Sequence, residues 1–199
     1  MTQKLFDGRY FDKWYRHPSH RVGTPADLAR LVRFAVTAAE YVLARSVRSV
    51  LDVGAGEGRW QPILRKLRPA ATYQGVDPSD YVVHRYGKRR NIVQGTLYDL
   101  PTLFPNRSFD LVVSCSVINY LPRDMMIRGI RSIAERTGGL AYLEIFTSED
   151  DVEGDTRGWY SESRGAYRRI IRNAGLFPCG LHCYIRSDHA SSLVGLEHA

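Results

Sequence analysis

The sequence predicts an α/β protein built on a doubly wound, mostly parallel sheet with helices on both faces. Three observations carry this expectation. Short runs rich in Val, Leu and Ile alternate with segments of helical periodicity along most of the 199 residues. The first such run, Val50 to Val53, leads straight into a turn carrying Gly54, Gly56 and Gly58, as where a buried parallel strand hands over to a helix. The length suits one domain over residues 1–199: a chain of this size buries roughly 70% of its unfolded surface, and 44% of the residues are hydrophobic.

The elements follow in order. Thr24-Pro25 reads as an N-cap followed by proline at the first helical position. Leu28, Leu31, Val32, Ala35, Ala39, Val42 and Leu43 then recur at helical spacing to about Arg45. Residues 47–53 form the first strand, and 58–68 a helix stopped by Pro69. The second strand is expected over 72–77, a short helix over 79–87 and a short third strand over 92–95. Phe109 to Ser114 is the fourth strand and 122–136 a helix closed by Gly138-Gly139. The fifth strand is expected over 140–146, an acidic loop over 147–156 and a helix over 157–174. Residues 177–185 and 191–197 are expected to pair antiparallel, giving seven strands with an antiparallel last one.

Bulk properties narrow the class. No apolar run approaches the ~20 residues of a membrane-spanning helix, and the polar start, Met1 to Arg9, lacks a signal-peptide core. Cys115, Cys179 and Cys183 are an odd set without metal-site spacing, so a reduced, cytoplasmic protein is expected. The net charge of +7 is uneven: residues 1–100 hold 17 Lys+Arg against 9 Asp+Glu. A solvated basic face explains this, and so does an acidic or nucleic-acid partner.

The glycine spacing points to the ligand. A dinucleotide site needs G-x-G-x-x-G, but position 59 is Arg59, so the pattern is G-x-G-x-G preceded by Asp52. Bare backbone there lets a ligand lie close, and the following helix would offer unpaired N–H groups and a positive dipole end. Asp77, at the end of the second strand and 21 residues after Gly56, can accept hydrogen bonds from ribose hydroxyls or cap the next helix.

These segments, with Gln94 to Pro101 and Phe109 to Pro122, resemble the ordered motifs of class I S-adenosylmethionine (SAM)-dependent methyltransferases. The matches run from about residue 47 to 122, and the compact small-molecule enzymes, such as the quinone C-methyltransferase kind, are the most similar in flavour. The resemblance implies a Rossmann-like seven-stranded fold, SAM as cofactor and S-adenosylhomocysteine as product. It implies cofactor contacts from Asp52, Gly54, Ala55, Gly56, Gly58, Asp77, Pro78, Thr96, Leu97 and Ser114. Thr96 departs from the family pattern, standing where an acid usually meets the adenine. In similar enzymes residues corresponding to 1–23 fold over the cofactor as a lid. Tyr15 could then cover the sulfonium by a cation–π contact and Arg21 pair with the SAM carboxylate; a helix packed on the sheet edge is the plainer alternative.

Because the sulfonium methyl is already activated, alignment and water exclusion carry most of the catalysis. A base is needed only if the acceptor must shed a proton. Three places suit acceptor contact. Glu144, near the end of the fifth strand, fits a base, an anchor for a cationic acceptor, or a salt bridge. His182 is expected on the sixth strand, as a core histidine or a contact. Asn119-Tyr120 follows the fourth strand. Exocyclic-amino methyltransferases of DNA bases carry Asn/Asp-Pro-Pro-Tyr where this chain has Ser114-Cys115-Ser116-Val117, and the magnesium carboxylates of catechol-type enzymes find no counterpart there, so no metal is expected. A small-molecule acceptor is the first reading. An RNA methyltransferase, suggested by Lys88-Arg89-Arg90, and a non-catalytic SAM-binding module are the alternatives.

Overall fold

The computed structural model describes residues 4–192. Seven strands form one sheet in the order β3-β2-β1-β4-β5-β7-β6: β1 (Ser49–Val53), β2 (Thr72–Asp77), β3 (Ile92–Gln94), β4 (Phe109–Cys115), β5 (Thr137–Glu144), β6 (Leu176–Gly180) and β7 (Cys183–Arg186). β1 pairs in parallel with both β2 and β4, so the order reverses between β1 and β4. β7 runs antiparallel to both β5 and β6. This is the doubly wound sheet with an antiparallel last strand that the sequence predicts. Central strands buried on both sides explain the near-continuous apolar runs: Leu51 and Val53 face one core, Val50 the other.

Among the described residues seven α-helices precede or connect the strands: α1 (Gly8–Phe11), α2 (Pro25–Leu43), α3 (Trp60–Leu67), α4 (Asp80–Arg90), α5 (Leu100–Leu103), α6 (Arg123–Arg136) and α7 (Arg164–Asn173). Val32, Ala35, Val36 and Ala39 of α2, with Trp60 and Leu64 of α3, cover one face. Met126, Ile130 and Ile133 of α6, with Ile170 and Ile171 of α7, cover the other. α2 opens on a reciprocal cap in which Asp27 N donates to Thr24 Oγ1 at 3.2 Å and Thr24 N to Asp27 Oδ2 at 2.8 Å. A smaller cluster packs Phe11 of α1 on Ala55, Val82, Tyr86 and Ile92, so the N-terminal segment is seated on the core.

Several boundaries differ from the sequence expectation. Gly138-Gly139 does not close α6. Both lie inside β5, where a Cβ on Gly139 would come 2.6 Å from the Asp110 carbonyl oxygen; glycine here permits close strand approach. Residues 157–163 are loop, and α7 starts only where Ser163 caps the Ala166 N–H. The final pair is a hairpin within 176–186, turned by Leu181 and His182 at φ 50° and 62°. Ser191 lies in a 3₁₀ segment, Ser187–Ser192, and residues 193–197 of the expected last strand lie outside the described residues. Among the described residues no helix is long and apolar enough to cross a membrane.

Candidate functional site

The carboxyl ends of β1, β2, β4 and β5 open into a cavity of about 680 Å³, within the range of small-molecule and cofactor sites. It sits at the switch point where open α/β sheets bind ligands. The glycine turn forms its floor. Gly54, Gly56 and Gly58 have φ of 74°, 51° and 67°, the left-handed region that favours glycine. A Cβ on Gly54 would overlap the Val117 methyls, and one on Gly56 would come 2.5 Å from Tyr15 Oη. Gly54 and Gly56 line the cavity; Gly58 packs against Ile92 and Arg90, and Ala55 against the Phe11 cluster.

The turn's own N–H groups are engaged within the protein. Gly54 N and Ala55 N both donate to the Val76 carbonyl, at 2.8 and 3.0 Å, and Gly58 N donates to the Ala55 carbonyl at 2.8 Å. Gly56 N donates to Asp77 Oδ2 at 2.7 Å, and Ser79 N to Asp77 Oδ1 at 2.9 Å. The turn therefore contributes shape and bare backbone, while Asp77 and the groups around it supply the polarity. Asp77 lines the cavity and is only 6% exposed. Burial raises its carboxyl pKa, against the lowering pull of the Ser79 and Gly56 N–H groups. Asp52 lies beneath the turn rather than in the cavity. Its Oδ2 accepts from the Tyr73 hydroxyl at 2.6 Å, and burial pushes its pKa up to about 7.

Pro78, Thr96, Leu97 and Tyr98 continue the wall past β2 and β3. Thr96 Oγ1 and Thr96 N both donate to Asp99 Oδ2, at 2.7 and 2.8 Å. The acid is thus turned back onto Thr96, and Thr96 Oγ1 itself accepts from Tyr98 N at 3.3 Å, which leaves it one further lone pair. Leu97 is held by Gly129 of α6, where a Cβ would come 2.9 Å from Leu97 Cδ2.

Residues of the N-terminal segment close the other side. Phe6, Tyr10, Phe11, Trp14, Tyr15, Val22 and Gly23 all line the cavity. Tyr15 carries Arg59 over its ring at 5.2 Å. Burial and the Asp77 carboxylate raise the Tyr15 phenol, opposed by Arg59. Arg21 is exposed and outside the cavity lining; Arg59 is the arginine that lines it. In the sequence Arg59 stands out only as the residue that breaks the dinucleotide spacing, and its place directly after Gly58 is the signal that puts it at the turn.

Beyond β4 and β5, Glu144 lines the cavity and its Oε2 accepts from Ser116 Oγ at 2.6 Å; Ser116 itself is at φ 55°. Glu144 makes no ion pair among the described residues, which removes the salt-bridge alternative there. Tyr120 lines the same region and donates to the Asp155 carbonyl at 2.8 Å. Lys4, invisible as a site residue in the sequence, donates to Tyr120 Oη at 3.0 Å and pairs with Asp155. His182 is exposed in the β6–β7 turn, not on a strand and not in the cavity lining; its ring packs edge-on to Tyr142 at 5.8 Å. Ser114 is fully buried within β4 and its hydroxyl lacks a partner, so it too lies outside the lining. Asn119 staples two loops: its Nδ2 donates to the Phe146 carbonyl at 2.7 Å and its Oδ1 accepts from Phe146 N at 3.1 Å. Among the described residues no cluster of His, Cys, Asp and Glu is placed to hold a metal ion. Of the acidic run, Asp150 accepts from Thr147 within the loop and Glu149 from Arg164 N at the start of α7.

The cavity brings the Asp77 carboxylate and the Arg59 guanidinium to the glycine turn. Residues 21–193 match the family model described as a methyltransferase domain, so the chain belongs to that family. Its fold is that of SAM-dependent methyltransferases. A SAM-dependent methyltransferase from Archaeoglobus fulgidus superposes with a TM-score of 0.61 at 13% identity, covering 84% of this chain and 73% of that one. Magnesium protoporphyrin IX methyltransferase from Synechocystis with bound S-adenosylhomocysteine gives 0.56 at 16% identity, covering 91% and 93%. The fatty-acid O-methyltransferase of Mycolicibacterium smegmatis is 30% identical over 103 residues; the match spans 49% of this chain and 37% of that protein.

Proposed function

We propose that this protein transfers the methyl group of SAM to a small-molecule acceptor. The observation that carries this reading is one continuous cavity with two differently built ends. One end has the Gly54–Gly56 backbone, the Asp77 carboxylate and Arg59; the other has Glu144 with Tyr120, Tyr142, Phe146 and Trp159. SAM, when bound, supplies a methyl carbon already activated by positive sulfur. Asp77 holds the ribose hydroxyls, Arg59 the carboxylate, and Thr96 Oγ1 accepts from the adenine amino group. Tyr15 and the N-terminal segment keep water from the reacting atoms. Tyr120 and Glu144 contact the acceptor. His182 and Arg21, outside the lining, are not part of this proposal.

The alternative of an RNA substrate finds less support. Arg90, of the basic run that motivates it, donates to the Glu57 carbonyl, and both Arg89 and Arg90 lie over the Tyr86 ring, away from the cavity lining. Calorimetry with S-adenosylhomocysteine is the deciding experiment: saturable micromolar binding is expected, and none at millimolar ligand would overturn the reading. Methyl transfer from labelled SAM to an acceptor in a small-molecule extract, and not to RNA, separates the enzyme from a binding module.

A further inference from the structure

Resting on the SAM reading above, we infer that the acceptor is an amine that arrives as a cation, and that Glu144 with the aromatic walls selects it. The far end of the cavity is lined by the rings of Tyr120, Tyr142, Phe146 and Trp159. Trp159 packs edge-on to Tyr120 at 5.8 Å and stacks on Phe146 at 5.7 Å, giving one aromatic wall. Within this wall Glu144 has a hydroxyl donor, Ser116, but no cationic partner among the described residues.

The nearby cations are already engaged. Lys4 pairs with Asp155 and lies 4.1 Å over the Tyr120 ring, and Arg59 lies over Tyr15 at the glycine turn. Glu144 is half-buried beside these rings with no counter-charge among the described residues, and aromatic rings with a carboxylate are the surroundings that favour an ammonium. A carboxylate acceptor, such as the relative's name implies for that protein, would instead meet Glu144 as a like charge. The chemistry balances without further reactants. The ammonium passes one proton to a Glu144 carboxylate oxygen. The freed nitrogen lone pair then forms the bond to the methyl carbon as the carbon–sulfur bond breaks. Sulfur keeps the bonding pair and leaves as the thioether, and Glu144 returns its proton to water.

Direct binding tests this without turnover. The full chain is titrated with benzyltrimethylammonium, which cannot accept a methyl group, and with 4-phenylbutanoate, each with and without S-adenosylhomocysteine. The ammonium is expected to bind at least tenfold more tightly than the carboxylate. Glu144→Gln should lose at least tenfold in ammonium affinity while S-adenosylhomocysteine affinity stays within twofold. Equal or tighter binding of the carboxylate by the wild-type chain overturns the inference and needs no variant to read. Failure of S-adenosylhomocysteine to bind overturns the cofactor reading alone, since the two probes still report the chamber.

Discussion

The Tyr73 hydroxyl donates to Asp52 Oδ2 at 2.6 Å, and both residues are buried beneath the glycine turn. Burial, partly offset by Tyr73, raises the Asp52 pKa from 3.8 to about 7. The sign follows from proton binding: between these two values the folded protein holds a proton that the unfolded chain has lost. Stability of the ligand-free protein should therefore fall as pH rises through that window and level off above it. At roughly 1.4 kcal/mol per pH unit the loss is on the order of 4 kcal/mol, with Asp77, also raised, adding in the same direction. Urea unfolding at pH 5 and pH 8 brackets the upper two units of that window and should read about 3 kcal/mol of the loss. Asp52→Asn keeps an acceptor for Tyr73 and should flatten the dependence; identical slopes in variant and wild type would refute the assignment.

Asp77 has two tasks that mutation can separate. In the free protein it accepts from Gly56 N and Ser79 N. Asp77→Ala leaves those N–H groups unpaired and should cost about 1–3 kcal/mol of stability. If Asp77 also holds the ribose, S-adenosylhomocysteine binding should weaken more than tenfold, or about 1.4 kcal/mol. Adenine alone should be affected much less. Equal weakening for both ligands would mean that the variant has only disturbed the turn.

Arg59 and Arg21 make a paired prediction. Arg59 lines the cavity and Arg21 does not. Arg59→Ala should weaken SAM and S-adenosylhomocysteine alike by about tenfold, the scale of one charge-assisted hydrogen bond. Decarboxylated SAM, lacking the partner, should be indifferent to the change. Arg21→Ala should leave all three affinities unaltered. The reverse pattern, read by calorimetry, would restore Arg21 as the carboxylate partner.

The contrast between these two arginines shows where the sequence was informative. Strands β1, β2 and β4 were readable because both their faces are buried, so apolar runs and glycine spacing mark them directly. Asp77 was readable because its place at the end of β2 is set by that strand. Arg21 was placed by its position along a segment whose path is decided by packing of Phe11 on Ala55 and Val82, contacts distant in sequence. His182 misled for a similar reason: the β6–β7 turn is made by two non-glycine residues at positive φ, which carry no turn signature. Lys4 left no signal, since its partners Tyr120 and Asp155 lie more than a hundred residues away.

The close approach of Gly54 to Val117 can be tested as a cycle. A Cβ at Gly54 would overlap the Val117 methyls, and φ there is 74°. Gly54→Ala should destabilise the protein by about 1–3 kcal/mol from strain and overpacking. Val117→Ala removes the steric part but not the backbone strain. The double variant should therefore be more stable than the sum of the single changes implies, by about 0.5–2 kcal/mol. Strict additivity in denaturant unfolding would show that the backbone angle alone makes glycine necessary.

Lys4 joins the two walls of the cavity. Its Nζ donates to Tyr120 Oη at 3.0 Å and to the Arg157 carbonyl at 3.2 Å, and it pairs with Asp155. Tyr120 in turn donates to the Asp155 carbonyl at 2.8 Å. The N-terminal segment and the loop between β5 and α7 are thereby held together through one side chain. Lys4→Ala leaves Asp155, whose side chain is 14% exposed, without its cation, at a cost of about 1–3 kcal/mol. That cost should fall on local opening more than on global unfolding, because Lys4 lies outside both main core clusters. Hydrogen exchange should speed at least tenfold over residues 5–16, and bound S-adenosylhomocysteine should leave correspondingly faster. Lys4→Arg, which keeps the charge, should recover part of both effects. Unchanged exchange in the alanine variant would mean that Phe11 packing, not the Lys4 contacts, holds the segment closed.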